Sequence, residues 1–272
     1  MLRDFGSSLK VWLLLLIGGA LPTPSWCHDA MCPNESASKS SPTEVQAVNF
    51  AKPLRDYTCR RVAGWSVLIE EEMVTKDSVL ADRIQRRVAT KLKEVRGLLP
   101  VHTLSVLQRV PIFFMYGDKS SRGGRARGAQ YFAESAPDFN KRLDPRMAGA
   151  IVIYSAEHFC SLSEFGATKM LLHELSHAWH LEQWSENKPD IMLTFKGAVE
   201  KHLYEKVRKS DGSTLQKAYA LENQLEYFAE LSCVWFCGND HFPFDRGDLA
   251  LYDPSGYQLM QQLWSAPGKK AW

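Results

Sequence analysis

The chain has 272 residues, with 33 Lys and Arg against 31 Asp and Glu, and a formal charge of +2. A balance so near zero argues against nucleic acid as the partner, because that association rests on an excess of Lys and Arg. The length is enough for one sizeable core, and no internal repeat divides it.

At the start, Arg3 and Lys10 flank an apolar run from Val11 to Leu21, followed by Pro22 and Pro24. The run is too short to span a bilayer, which takes about 20 apolar residues, but it suits the core of a secretory signal. Segment 1–27 is therefore expected to be a removable signal, 28–44 a polar stretch, and 45–272 a single domain. The expected location is secreted, either extracellular or periplasmic, with no stable membrane insertion after signal removal. The six cysteines (Cys27, Cys32, Cys59, Cys160, Cys233, Cys237) lack Cys-x-x-Cys spacing, so export favours disulfides over a thiolate metal site. Cys233 and Cys237 lie one helical turn apart, where a bridge would be strained. Asn34-Glu35-Ser36 is a glycan acceptor pattern.

Val62 to Glu70 reads as a strand. Asp77 or Ser78 then caps a helix with Val79, Leu80, Ile84, Val88, Leu92 and Val95 at helical spacing. Val110 to Tyr116 is a buried strand, and Ala148 to Tyr154 another. Between them, Lys119 to Arg127 forms a basic, glycine-rich loop, expected to be mobile and solvated, with contact to an acidic substrate as the alternative. A helix runs from about Glu164 or Ala167 to Trp184, a second from Ile191 to Val207, a third from Thr214 to Phe236 with a break near Tyr219, and a short one from Tyr257 to Trp264. Trp235, Phe236, Phe242 and Phe244 are expected to be core packing. A small sheet followed by helices predicts an α+β fold: a small N-terminal mixed sheet on a mainly helical C-terminal half, with a cleft between them.

The chemistry centres on His173-Glu174-Leu175-Ser176-His177. Four residues advance a helix by slightly more than one turn, so both imidazoles leave the same face and can share a metal. Glu174 beside them can act as general base, which is the spacing of a zinc peptidase helix. Catalytic zinc needs a third protein ligand. A histidine six residues on is excluded, because Gln183 stands there and His180 replaces the glycine of that pattern. His180 reads as an ordinary polar residue, although its position leaves open a ligand or substrate contact. The other source is an acid from a later helix. Glu222, Glu226 and Glu230 recur every four residues among apolar neighbours, a like-charge stripe that a cation would relieve. Spacing alone does not choose between Glu222 and Glu226.

The pair of segments resembles the catalytic helices of anthrax-lethal-factor-like zinc metallopeptidases, over roughly Lys169 to Glu230. Those glutamate-ligand zincins pair a His-Glu-x-x-His helix with a Glu-aromatic-Phe-Ala-Glu helix, here Glu226-Tyr227-Phe228-Ala229-Glu230. The resemblance implies a zincin-like catalytic domain binding Zn²⁺ through His173, His177 and Glu226, with Glu230 orienting a ligand from behind it. Glu174 would be the general base. Tyr219, seven residues before the zinc glutamate, would stabilise the oxyanion. Leu225 departs from the asparagine common in other glutamate-ligand peptidases, which points away from the thermolysin-like branch. The class holds its substrate as an added strand, for which Ala148 to Tyr154 is the candidate edge, with Asp138 to Arg146 lining the same cleft. The function implied is a secreted zinc endopeptidase acting on a peptide or protein. The alternatives are an inactive, zinc-stabilised binding module of the same fold and an amidase acting on non-peptide amides.

Overall fold

The computed structural model describes residues 46–48 (backbone), 55–134 and 144–265. The signal segment, the polar stretch with Asn34, Cys27, Cys32 and most of the loop from Asp138 lie outside them. The fold is α+β, as expected, with a mixed sheet in the N-terminal half and mainly helices after it.

The sheet is built from β1 (Gln46–Val48), β2 (Tyr57–Val62), β3 (Trp65–Glu70), β4 (Ile112–Phe114), β5 (Ala129–Phe132) and β6 (Ala150–Ile153), in the order β1-β2-β3-β4-β6-β5. The strand expected from Val62 to Glu70 is in fact the second arm of a hairpin. Ala63 and Gly64, at φ of 52° and 102°, supply the two left-handed positions that a tight turn of primed type needs, so Val62 closes β2. β3, β4 and β6 run parallel, and β5 returns antiparallel to β6.

This order corrects the expected substrate edge. β6 lies between β4 and β5 and is buried throughout, so the strand facing the cleft is β5. Its apolar run signalled burial on both faces rather than an edge. Helical residues cover one face through Ile112, Phe114, Ile151 and Ile153, and a smaller cluster around Tyr57, Leu68, Phe113, Met115 and Tyr154 covers the other.

Among the helices, α1 (Glu71–Lys76) precedes α2 (Ser78–Leu98), which starts where expected, with the Asp77 carboxylate accepting the Leu80 N–H at 3.0 Å. Leu80, Ile84, Val88, Leu92 and Val95 are buried, whereas Val79 faces solvent. α3 (Val101–Leu107) and α4 (Ala156–Ser161) lead to α5 (Glu164–Gln183), capped by Ser163. Leu171, Leu172, Leu175 and Trp179 seat α5 in the core, each contributing about 1.5–3 kcal/mol by burial.

α6 (Pro189–Glu200) is shorter than the Ile191–Val207 expected. His202, Tyr204 and Lys206 take positive φ, which no helix tolerates, and the chain turns into β7 (Glu205–Arg208), paired with β8 (Thr214–Lys217). Tyr204 is buried there with its hydroxyl on Asp253 at 2.8 Å, so tertiary contacts override an apolar spacing that suited a helix.

The helix expected from Thr214 likewise gives way to β8, a 3₁₀ turn at Tyr219–Leu221, and then α7 (Gln224–Phe236). α8 (Arg246–Tyr252) and α9 (Pro254–Ser265) close the described chain. Phe236 packs edge-on to Trp264 and Phe242 edge-on to Tyr252, as core residues. Cys160, Cys233 and Cys237 are free thiols, whereas Cys59 is in a disulfide whose partner lies outside the described residues. No helix among the described residues is long and apolar enough to cross a membrane.

Candidate metal centre

α5 and α7 pack against each other beneath a cleft of about 620 Å³, with β5 as its opposite wall. The sequence places the candidate ligands by two different devices. On α5 it is helical spacing that aligns His173 with His177. On α7 it is the start of the helix: the Asn223 side chain accepts the N–H groups of Leu225 and Glu226 at 2.9 and 3.0 Å, which begins the helix at Gln224 and sets Glu226, one turn before Glu230, facing the histidines. Glu222 falls outside the helix and pairs with Lys217 at 3.2 Å, so the structure selects Glu226 over Glu222.

Three atoms converge. His173 Nε2 and His177 Nε2 lie 3.0 and 3.2 Å from Glu226 Oε2, and 3.1 Å from each other. A tetrahedral ion with bonds near 2 Å sets its ligand atoms about 3.3 Å apart, so the triangle fits a small divalent cation. On the far side of the first ring, His173 Nδ1 lies 3.0 Å from Glu230 Oε1. That carboxylate claims the Nδ1–H, which leaves Nε2 of the neutral ring as a lone pair facing a carboxylate oxygen and a second imidazole nitrogen. A cation removes the conflict; a proton is the other remedy. Burial opposes charge on His173, but the hydrogen bonds to Glu226 and Glu230 outweigh it and raise its pKa to about 10. Burial would raise the two acids, yet His173 and His177 hold Glu226 far below the usual carboxylate range, and His173 with Lys169 bring Glu230 down to about 2. His173, His177 and Glu226 therefore form a group that could hold a metal ion.

Glu174 is buried on the same wall, with Oε2 accepting the backbone N–H of Tyr131 in β5 at 2.7 Å. This bond ties the helix to the edge strand, and Glu174 lines the cleft. Tyr219 sits on the 3₁₀ turn, its ring stacked 5.9 Å from that of His173, and 53% exposed. Burial of its phenol, the charge of Glu226 and a hydrogen bond to it push its pKa up to about 12. All six expected site residues thus meet at one cleft.

His180 does not join them. It lies on the core face of α5 and is fully buried, donating from Nε2 to the Ser185 carbonyl at 3.2 Å and packing edge-on to Phe228. Burial lowers its pKa to about 4.

Lys169 is the residue that sequence reasoning missed. Its Nζ lies 3.1 Å from Glu230 Oε2, 2.7 Å from Asn239 Oδ1 and 3.2 Å from Asp240 Oδ1. Lys169 precedes His173 by four residues, so it shares the ligand face, and that spacing was a signal available in the sequence. No protein-family profile matches the chain, and no curated protein matches it.

Proposed function

We propose that this chain is an exported zinc-dependent endopeptidase of the lethal-factor-like kind, with His173, His177 and Glu226 holding the ion. The observation that carries the reading is the convergence of those three ligand atoms within 3.0–3.2 Å, with the buried Glu174 carboxylate on the same wall. Bound zinc would supply a Lewis acid that polarises the scissile carbonyl and acidifies water.

The remaining chemistry belongs to the chain. Glu174, steadied at one oxygen by the Tyr131 N–H, takes the proton of the attacking water at the other and delivers it to the leaving amine. The Tyr219 phenol, protonated at neutral pH, donates a hydrogen bond to the carbonyl oxygen as negative charge develops. Glu230 accepts the His173 Nδ1–H and so holds the tautomer whose Nε2 lone pair faces the cleft. The outer edge of β5, unpaired among the described residues, offers main-chain groups to an extended peptide. The sequence signal at Val11 to Leu21 supports export.

The test is metal analysis joined to cleavage of a broad peptide library. The wild-type chain is expected to carry one zinc and to cut peptides, and Glu174→Gln to keep the zinc while kcat/KM falls by about 10²–10⁴. A chain that purifies without metal from zinc-replete medium, or a Glu174→Gln variant that still cuts, would overturn the assignment.

A further inference from the structure

Nearly every charge lining the cleft is already matched. Glu174 accepts the Tyr131 N–H, Glu226 faces His173 and His177, and Glu230 lies between His173 and Lys169, which also pairs with Asp240. Arg125 is the exception. It lines the cleft at the approach to β5, and among the described residues its guanidinium has no carboxylate partner. Of the cations in its loop, Lys119 is taken by Glu157 at 2.8 Å, and only Arg125 lines the cleft among the described residues.

The loop that carries Arg125 is solvent-exposed from Ser121 to Arg127, as expected from its composition, but its first half is tied down by hydrogen bonds. The buried Arg55 guanidinium donates to Ser120 Oγ and to the Arg122 and Gly123 carbonyls, and Glu72 accepts the Ser121 N–H at 2.9 Å. Gly124 folds so closely on Gly117 that a Cβ would come within 2.3 Å of the Gly117 oxygen. That fold-back brings Arg125 over Tyr154, with its central carbon 4.5 Å from the ring centroid. Stacking occupies the face of a guanidinium and leaves its in-plane N–H donors free. Tyr154 is itself fixed, buried and bonded through its hydroxyl to Gln130 Oε1 of β5 at 2.9 Å. A planar cation held over a fixed ring beside an open strand edge is the arrangement that receives a carboxylate through two parallel hydrogen bonds.

We propose that Arg125 is the specificity residue of this cleft, and that the peptide taken there carries a carboxylate which docks on its guanidinium. The inference rests on the peptidase reading for its substrate class. The carboxylate has two sources, an Asp or Glu side chain or the C-terminus of the peptide, and the two differ in whether the protein cuts within chains or near their ends.

The test uses the zinc-loaded Glu174→Gln chain and fluorescein-labelled decapeptides in which a single Asp, Asn or Lys is moved through a neutral background. Each peptide is made with a free and with an amidated C-terminus, and binding is read by fluorescence anisotropy while the wild-type chain is assayed for cleavage. One Asp register, or the free C-terminus, is expected to bind about tenfold more tightly than its neutral match, within the range between an exposed and a bidentate ion pair. The preference is expected to vanish when Arg125→Gln is added and to turn toward Lys when Arg125→Glu is added. The Asp and amidation arms separate the two sources. Equal binding of charged and neutral peptides, a preference that survives Arg125→Gln, or no binding of any peptide would overturn the inference. Cleavage without the preference leaves the peptidase reading standing alone, whereas an Arg125-dependent preference without wild-type cleavage supports the inference and removes the peptidase reading.

Discussion

Two charge clusters, one beneath the basic loop and one behind His173, end differently. Under the basic loop, Arg55 pairs with Glu70 at 2.6 Å, Glu70 accepts the Ser120 hydroxyl and the Tyr116 N–H, and Arg55 continues to backbone carbonyls. Every link closes on another protein group. Between α5 and α7, Asp240, Lys169, Glu230 and His173 form a similar chain, but it terminates where His173 Nε2, His177 Nε2 and Glu226 Oε2 converge within 3.0–3.2 Å of one another. Burying charge is costly in both places, and a cluster that closes on itself offsets that cost through mutual attraction and completed hydrogen bonds. A cluster that ends on convergent donor atoms calls for a ligand. That difference, rather than the number of charged groups, separates a scaffold from a site.

The comparison breaks most readily at Arg55. Arg55→Met leaves Glu70 buried and unpaired, so a loss of about 3–5 kcal/mol is expected in denaturant unfolding, while zinc stoichiometry stays at one per chain. Arg55→Met with Glu70→Met should cost less than the single change. A single change that is neutral would show that the first cluster supports nothing.

His180 sharpens the contrast, since it lies on the same helix as the ligands yet closes locally on Ser185. Its folded pKa, near 4 because burial disfavours the cation, lies below the unfolded value of about 6.5. The unfolded chain therefore binds the proton first. Stability attributable to this group is intact above pH 6.5 and falls as pH drops toward 4, by on the order of 3 kcal/mol in total. His180→Gln should flatten that part of the pH profile, and an unchanged slope between pH 6.5 and 4 would refute the assignment.

The smallest effect is expected behind the ligands. Glu230→Gln and Lys169→Met remove successive links from the chain that orients His173, and each should weaken zinc binding by about 10–100-fold in competition with a chromogenic chelator. Lys169→Arg should restore most of the loss, because the cation is kept. Unaltered affinity in both variants would mean that the ring is held by packing alone.

Much of this was legible in the residues. The α5 ligands follow from helical periodicity, and β4, β6 and α2 from apolar runs and a capping aspartate, because each of these signals is local. The acidic stripe at Glu222, Glu226 and Glu230 was legible only as a stripe. It spans a helix boundary, and the Asn223 cap that removes Glu222 from it competes with an apolar pattern that reads as helix from Thr214 onward. The positive φ values at His202, Tyr204 and Lys206 carry no sequence mark, since these residue types take them only under the pull of contacts such as Tyr204 with Asp253.

What the chain determined by itself is the alignment of His173 and His177 with Glu174 beside them, because an α-helix needs no distant partner to align residues four apart. Which acid meets them, which strand forms the open edge, and where Arg125 and Lys169 come to lie were decided only by tertiary structure. Those relations join segments tens of residues apart, and their geometry exists only once β5, α5 and α7 have packed around a shared core.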